Sequence, residues 1–410
     1  GWSQEELAEK VGVELRTIRR WEQGKGFPRP YARRKLSEVL GMSIPELGLV
    51  DEDENIAFVP DDEQEHEIPV LDDEQEHERF AHRSETETEI PITQVQGTVL
   101  RTYNAHSGWV LAVAWEPKGE RIASAGGDGV ARVWDASSGE TCAVYRKHDW
   151  LSKKVNWPPA IHCVAWSPDG QYIASAGDGR KVYVWDAAKG ETTAIYRGHT
   201  GMLPDVFALA WSPDSKYIAS ACSVGGIDKT IHEWDATSGH ERHRYNASYG
   251  WMPHFSISAI AWSHDGTRLA AACGDKTIRL WDMTTGELKS TFQASSGWIY
   301  TIAWSSDDQR LALAHGNSTA EIIDAFTGQN MLTYRGHRDS VRDIAWSPDD
   351  KYLATASNDT AVKLWDAENA NHIYTFEGHT SWTTSVAWSP DGTRIASASN
   401  DRTVRVWQAV

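Results

Sequence analysis

The sequence has few cysteines, no long apolar run and no leader-like start. The spacing of its four cysteines, Cys142, Cys163, Cys222 and Cys273, does not resemble that of a metal site. We therefore expect reduced thiols in the core of a cytoplasmic protein, and no bound metal or other cofactor. No segment approaches the ~18 apolar residues of a membrane span. The first residue is Gly rather than Met, which suggests a fragment.

Negative charge is concentrated in one stretch of the chain. The net charge is −18 over 410 residues, yet residues 51–90 alone hold 17 Asp and Glu against two Lys and Arg. Within this stretch the run Asp61–Glu67 recurs as Asp72–Glu78. Such charge opposes packing, so we predict a disordered acidic linker over residues 49–97. His66 and His77 in the linker are weak evidence for a metal site, because single histidines in a disordered segment provide no fixed ligand geometry.

The region after the linker repeats one unit seven times. Each unit contains an Ala-Trp pair, and the spacings between successive pairs are 51, 45, 51, 42, 42 and 42 residues. Short runs of alternating apolar residues are separated by turn sequences such as Ser347-Pro348-Asp349, which predicts a meander of β-strands. One meander cannot bury both faces alone, so the repetition indicates a stacked or ring-closed architecture. The anchoring tryptophans are Trp115, Trp166, Trp211, Trp262, Trp304, Trp346 and Trp388.

A second tryptophan ends a later strand in six of the seven units, for example Trp365 followed by Asp366. With these anchors, residues 98–410 resemble a WD-repeat β-propeller, an all-β fold of seven four-stranded blades. The last unit lacks an outer strand, whereas residues 98–103 match the outer strands of other units. We predict that residues 98–103 pair with residues 404–408, because this pairing closes the ring and covers its open edges.

The resemblance implies a hydrogen-bonded set of His, Ser or Thr, Asp and Trp inside each blade. Buried groups of this kind need partners, and a satisfied network makes a core rigid. The sets resemble catalytic triads, but their regular recurrence favours a structural brace, and no other residue set adds chemistry, so we expect no enzyme. The complete sets are His106, Ser124, Asp128 and Trp134 in blade one, His199, Ser220, Asp228 and Trp234 in blade three, His337, Thr355, Asp359 and Trp365 in blade six, and His379, Ser397, Asp401 and Trp407 in blade seven.

Three blades depart from this pattern. In blade two an aspartate, Asp178, stands one residue before the expected position. Blade four lacks the histidine and the hydroxyl, and blade five lacks the whole set, so we predict that these two blades are the least rigid. The residues at the four positions are His148, Ser175, Gly179 and Trp185 in blade two, Ser248, Ala271, Asp275 and Trp281 in blade four, and Ser295, Leu313, Asn317 and Ile323 in blade five.

Residues 1–48 carry the start and stop signals of short helices. Ser3 can cap the first helix, Gly12 ends it, and Gly24 ends a second helix that begins near Glu14. A third helix is expected over residues 30–40. The runs Ser3-Gln-Glu-Glu-Leu-Ala8 and Trp21-Glu-Gln-Gly24 closely resemble the Cro/repressor-type (XRE family) helix-turn-helix. We therefore expect a small all-α head whose usual first helix would precede the given sequence.

The helix-turn-helix resemblance implies that the helix from Glu14 enters the major groove of DNA. It also implies pairing of two heads in a homodimer. The alternative is that these charged residues form the solvated face of a helical interaction module. The residues expected to read bases are Arg16, Thr17 and Arg20, and those expected to contact phosphate are Gln4, Lys25 and Arg29.

Aromatic and arginine side chains occur between the brace histidine of each blade and the next Ala-Trp pair. In the WD-repeat family these segments lie at one rim of the central channel, so the resemblance implies a protein or peptide partner there. Such side chains dominate interface energies. The alternative is that the repeated tryptophan caps the inner strands. The expected rim residues are Trp109, Trp157, Trp251, Phe255, Trp298, Arg338, Arg342 and Trp382.

Together these features predict a bacterial-type, non-enzymatic transcription regulator. Its helical head would bind DNA, and its propeller would serve as an interaction or sensing platform. The alternative is a scaffold in a signalling or defence assembly whose head does not bind DNA. The acidic linker either competes with DNA for the head or acts as a solvating spacer. The sequence identifies neither the DNA operator nor the docked partner.

Overall fold

A computed structural model describes residues 96–148, 159–200, 205–223, 230–247, 257–294 and 297–409. These residues form 28 β-strands in seven antiparallel sheets of four strands, and no helix occurs among them. All of them belong to one of the two units of the chain, Glu89–Val410. The prediction of an all-β propeller with seven blades is confirmed.

The first strand, β1 (Val99–Tyr103), precedes the first complete blade. Blade one consists of β2 (Val110–Trp115), β3 (Arg121–Gly126), β4 (Ala131–Asp135) and β5 (Thr141–Tyr145). Blade two consists of β6 (Ile161–Trp166), β7 (Tyr172–Gly177), β8 (Val182–Asp186) and β9 (Thr192–Tyr196). Blade three consists of β10 (Asp205–Trp211), β11 (Tyr217–Ser223), β12 (Thr230–Asp235) and β13 (Glu241–Asn246).

Blades four to six repeat this arrangement, and blade seven has three strands of its own. Blade four consists of β14 (Ile257–Trp262), β15 (Arg268–Cys273), β16 (Thr277–Asp282) and β17 (Leu288–Gln293). Blade five consists of β18 (Ile299–Trp304), β19 (Arg310–His315), β20 (Thr319–Asp324) and β21 (Asn330–Arg335). Blade six consists of β22 (Val341–Trp346), β23 (Tyr352–Ser357), β24 (Val362–Asp366) and β25 (His372–Phe376). Blade seven contributes β26 (Thr383–Trp388), β27 (Arg394–Ser399) and β28 (Val404–Gln408).

The first strand of the chain supplies the outer strand of the last blade. The sheet order in blade seven is β1-β28-β27-β26, with β1 antiparallel to β28. At the end of this pair, the Gly97 N–H donates to the Gln408 carbonyl at 2.8 Å, and the Gln408 N–H donates to the Thr98 carbonyl at 2.9 Å. Tyr103 of β1 also stacks on Trp134 of blade one, with ring centres 4.4 Å apart. The same short strand therefore completes blade seven and packs against blade one.

Five of the seven Ala-Trp pairs join neighbouring blades by a hydrogen bond. The Trp346 indole N–H donates to the Ala303 carbonyl of the preceding blade at 3.2 Å. Trp115 makes the same bond to Ala387 at 3.1 Å, between the last and the first blade. The guanidinium of Arg394 lies 4.7 Å from the centre of the Trp115 ring, a cation–π contact. The boundary at which the ring closes thus has the same packing as an internal boundary.

Each innermost strand carries one irregularity near its start. In β2 the pairing register shifts between Val110 and Ala112, and it shifts at the equivalent point in the other six innermost strands. A β-bulge of this kind leaves one residue outside the ladder and redirects its side chain. The bulged residues are Leu111, His162, Phe207, Ser258, Tyr300, Arg342 and Thr384.

Candidate recognition site

Blade six shows the geometry of a complete brace. His337 Nδ1 is 2.8 Å from Asp359 Oδ2, and His337 Nε2 is 2.7 Å from Thr355 Oγ1. The Trp365 indole N–H donates to the same hydroxyl oxygen at 2.8 Å. The four side chains therefore form one continuous chain of hydrogen bonds that links β23, β24, the turn between them and the segment before β22.

Blades one and seven contain the same chain of hydrogen bonds. In blade three the structure describes the histidine, the serine and the tryptophan of the set, and these are bonded in the same way. In blade one the aspartate also accepts a bond from Arg132 at 2.7 Å. In blade three, His199 is 2.8 Å from Ser220 and Trp234 donates to Ser220 at 3.0 Å, whereas Asp228 lies outside the described residues. The bonded sets of the other two blades are His106, Ser124, Asp128 and Trp134, and His379, Ser397, Asp401 and Trp407.

The environment of these sets suits a brace better than a catalytic centre. Burial alone would raise the pKa of Asp128, but the hydrogen bond and charge of His106, followed by those of Arg132, outweigh it and hold this pKa at about 2. Burial lowers the pKa of His106, so the imidazole stays neutral near pH 7. The hydroxyl that would act as nucleophile, Ser124, has no exposed surface. A substrate therefore has no access to this set.

The bulged residues converge on a cavity at the centre of the ring. All seven line a space of about 560 Å³ that is bounded by the innermost strands. Below them, the next residues on the strands are mostly small or apolar, such as Ala112 and Ala208. We call the ring of seven bulged residues the channel mouth: Leu111, His162, Phe207, Ser258, Tyr300, Arg342 and Thr384.

Two stacked pairs form the main side-chain contacts of the channel mouth. The ring of His162 in blade two stacks on Phe207 in blade three, with centres 4.1 Å apart and planes 15° from parallel. The guanidinium of Arg342 in blade six lies 4.3 Å from the ring centre of Tyr300 in blade five. Around the ring, two blade boundaries separate the two pairs in one direction and three in the other, so the pairs stand on opposite sides of the cavity.

Further aromatic side chains lie directly before the innermost strands. Trp109 and Trp382, in the adjacent blades one and seven, are 57% and 49% exposed. Trp298 of blade five is half-buried and lines the cavity, and Arg338 of blade six is exposed. With Arg342, these expected rim residues occupy four consecutive blades. This side of the propeller combines a cavity with exposed indole rings and arginines.

Family models agree with this geometry. The model described as WD domain, G-beta repeat matches residues 97–135, 153–186, 190–235, 328–366 and 370–408. The anaphase-promoting complex subunit 4 WD40 domain matches residues 251–307. The chain contains a WD40-repeat β-propeller. A separate helix-turn-helix model matches residues 1–47.

Several curated proteins resemble parts of the WD40 propeller. Protein transport protein sec13 of Aspergillus oryzae is 34% identical over 88 residues, which is 21% of this chain and 28% of the relative. The guanine nucleotide-binding protein subunit beta of Oryza sativa subsp. indica is 24% identical over 153 residues, 36% of this chain and 38% of the relative. The probable cytosolic iron-sulfur protein assembly protein Ciao1 of Culex quinquefasciatus is 33% identical over 98 residues, 23% of this chain and 26% of the relative. The chain thus spans about a quarter to two fifths of the length of these relatives.

Blade two of the WD40 propeller uses its displaced aspartate at the channel mouth. His148 keeps its bond to Ser175 at 2.8 Å. Asp178 bonds instead to His162 Nε2 at 2.7 Å and accepts a backbone N–H at 2.9 Å. Burial raises the pKa of Asp178, but the bond from His162 and the backbone N–H outweigh this effect and lower it. The one-residue displacement was visible in the sequence, whereas the new partner was not, because it lies on a different strand.

Blades four and five contain side-chain contacts that the sequence analysis missed. In blade four, Arg279 donates to Asp275 at 2.6 Å and to the backbone carbonyl of Ala247. In blade five, His315 Nε2 lies 3.2 Å from Glu321 Oε2, and both side chains are buried. The available signal was a charged residue two places after the start of a largely buried strand, at Arg279 and Glu321.

Several expected site residues lie outside the described residues. They include every expected DNA contact and the rim residues on the longer segments of blades two and four. Their roles stay predictions. These residues are Gln4, Arg16, Thr17, Arg20, Lys25, Arg29, Trp157, Trp251 and Phe255.

The four cysteines are all free thiols. The expectation that all of them lie in the core is wrong for Cys142, which is exposed because it lies on the outer strand β5. Within the described ranges, no three His, Cys, Asp or Glu side chains are grouped so that they could hold a metal ion. In the same part of the chain, no helix has the length and apolar character needed to cross a membrane.

Proposed function

We propose that this protein is a cytoplasmic, non-enzymatic DNA-binding regulator whose propeller recognises a protein or peptide. The observation that carries the proposal is the channel mouth, where seven bulged side chains surround a cavity of about 560 Å³. Exposed Trp109 and Trp382 stand beside it. Tryptophan, tyrosine and arginine provide most of the binding energy in many protein interfaces, particularly around a pocket. The proposed domains are a head over residues 1–48, a linker over 49–97 and the propeller over 98–410.

Recognition accounts for the propeller better than catalysis does. The recurring His and Asp side chains bond to one another inside the blades, where burial keeps them from a substrate. At the channel mouth, His162 is engaged by Asp178 and stacks on Phe207. An active site needs a nucleophile or metal beside a base with room for a reacting atom. The mouth offers aromatic surface and one arginine, which are groups that bind.

The helix-turn-helix match over residues 1–47 supports DNA binding by the head. In this proposal Arg16, Thr17 and Arg20 read base edges in the major groove, since arginine can bond guanine in two places. Phosphate contacts from Gln4, Lys25 and other polar residues fix the register on the duplex. Two heads in a homodimer would read two half-sites one helical turn apart. Docking at the propeller would then control how much DNA is occupied.

Salt-dependent DNA binding tests the head directly. The full chain is titrated onto DNA recovered by selection from a random pool, at several salt concentrations. The logarithm of affinity is expected to fall linearly with the logarithm of salt, because bound phosphates release counterions. Arg16→Ala is expected to weaken DNA binding by about 1–3 kcal/mol and to relax the sequence preference at the one base pair that this arginine would contact. Lys10→Ala removes the same charge from the first expected helix and serves as the control.

The second candidate function is a scaffold whose head does not bind DNA. The sec13 and G-protein beta relatives are, by name, a protein transport protein and a subunit of a guanine nucleotide-binding protein. These names favour assembly with other proteins as the shared role of the repeats. Selection that recovers no DNA, with a propeller that still captures a peptide, would favour the scaffold. Selected DNA whose binding is lost in Arg16→Ala but retained in Lys10→Ala would favour the regulator.

A further inference from the structure

Arg342 presents an unsatisfied guanidinium to the cavity. It is half-buried, and its guanidinium lies 4.3 Å from the centre of the Tyr300 ring. In the part of the chain that the structure describes, no carboxylate pairs with this guanidinium and no acceptor bonds to it. Arg268 and Arg394 stack on tryptophans at other blade boundaries but also bond to protein oxygens, as Arg394 does with the Gly119 carbonyl. Arg342 is therefore held in position with its hydrogen-bond donors available.

The backbone beside Arg342 is fixed to both neighbouring blades. The Thr301 hydroxyl of blade five donates to the Arg342 carbonyl at 2.8 Å. The adjacent carboxylate of Asp343 accepts the Val386 N–H of blade seven at 2.9 Å. The bulge then directs the Arg342 side chain into the cavity. A ligand that binds Arg342 therefore costs little conformational entropy, because the arginine side chain is already held in place before binding.

Other charged groups at the cavity are already engaged. His162 is bonded to Asp178 at 2.7 Å. Asp343 accepts backbone N–H groups from Ile344 and Val386, each at 2.9 Å. Burial raises the pKa of Asp343, against the opposing effect of those N–H groups. Among the described residues that line the cavity, Arg342 is the only arginine or lysine.

We propose that the channel mouth binds an acidic peptide segment by inserting the carboxylate of one Asp or Glu side chain against Arg342. This inference rests on the proposed peptide-recognition function and names the chemistry of its partner. A guanidinium matches the two oxygens of a carboxylate with two parallel hydrogen bonds. Leu111 and Phe207 line the same cavity and offer apolar surface to other side chains of the bound segment. A monoanion fits the cavity better than a phosphate dianion, because the described walls supply one permanent positive charge.

A labelled hexaglutamate peptide is the first probe. Its affinity for the full chain is measured by fluorescence anisotropy, and the variant Arg342→Gln is expected to bind about 10- to 100-fold more weakly, as for loss of a hydrogen-bonded charged group. Arg335→Gln is the matched control, because it removes the same charge at an exposed position at the end of the outer strand β21, away from the cavity lining. Thermal unfolding of each variant checks that the fold is retained.

Variants of Tyr300 test the positioning of the guanidinium. Tyr300→Phe keeps an aromatic face and is expected to retain affinity within about twofold, since an exposed cation–π contact contributes only about 0.5–1 kcal/mol in total. Tyr300→Leu removes that face and is expected to weaken binding several-fold. Because residues 51–90 are themselves acidic, each titration is repeated with a chain in which their Asp and Glu are replaced by Asn and Gln. The proposal is overturned if neither chain, with residues 51–90 acidic or neutralised, shows binding of the probe that depends on Arg342.

A random peptide array separates this inference from the proposed function beneath it. Enrichment of acidic peptides that require Arg342 supports both. Bound peptides without acidic residues, or with an absolute need for phosphoserine, overturn the carboxylate proposal and leave peptide recognition standing. An equal loss of binding in Arg335→Gln and Arg342→Gln also overturns it, because that result indicates a general electrostatic attraction. An array on which nothing binds counts against the propeller as a peptide platform.

Discussion

Removing a single hydroxyl from the brace of blade six should destabilise the whole propeller. The Thr355 hydroxyl is fully buried and serves both Trp365 Nε1 at 2.8 Å and His337 Nε2 at 2.7 Å. Valine has nearly the same shape, so Thr355→Val leaves almost no cavity and isolates the loss of the two bonds. Each buried polar group without a partner costs about 1–3 kcal/mol. The expected decrease in the free energy of unfolding is therefore about 2–6 kcal/mol.

Denaturant unfolding of the full chain, followed by tryptophan fluorescence, measures this effect. The control is Thr380→Val, the same substitution at an exposed threonine of blade seven, which should change stability by no more than about 0.5 kcal/mol. Combining Thr355→Val with Trp365→Phe should cost less than the sum of the single changes, because both remove the same bond. If Thr355→Val unfolds like its control, the set is not the brace that we describe.

Three further predictions concern the ring. Deleting residues 96–103 removes β1 and the Tyr103–Trp134 stack, so the melting temperature should fall and aggregation should increase. An unchanged melting temperature would contradict closure of the ring by β1. For Asp359, burial raises the pKa, but the bond and charge of His337 outweigh it and hold the pKa at about 2, below the unfolded value of about 3.9. The stabilisation that ionised Asp359 provides is therefore present above about pH 4 and lost as the pH falls toward 2. In Asp359→Asn the free energy of unfolding should fall less steeply with decreasing pH, and a slope equal to that of the unchanged protein would refute this. Amide exchange should be fastest in blades four and five, and finding them the best protected would refute the link between brace and rigidity.

Most of the fold could be predicted because its determinants recur in the sequence. The spacing of the Ala-Trp pairs gave the number of blades, and each of these tryptophans marks the end of an innermost strand. The unmatched strand before the first unit had one place to pair, beside the strand that ends at Gln408. These inferences need only local pattern and the rule that sheet edges must be covered.

The channel mouth could not be predicted in the same way. Val341-Arg342-Asp343-Ile344 reads as a strand of no special kind, and the bulge that directs Arg342 inward depends on pairing with β23. Arg338 and Arg342 were therefore assigned to one rim cluster, whereas the structure separates an exposed arginine from one that lines the cavity. Similarly, the new partner of Asp178 is His162, which the bulge of the neighbouring strand β6 presents to it. Contacts of this kind depend on how the strands of a blade pair.

The most direct test of recognition at the channel mouth is site-specific photocrosslinking. A photoreactive benzoylphenylalanine replaces Leu111, which lines the cavity without a polar role, or Ile373, which is exposed on the outer strand β25. Each chain is irradiated with a peptide recovered from the array. Our account predicts crosslinking from position 111 and little from position 373. Crosslinking from position 373 alone would contradict it, since the partner would then dock on the outer surface of the blades.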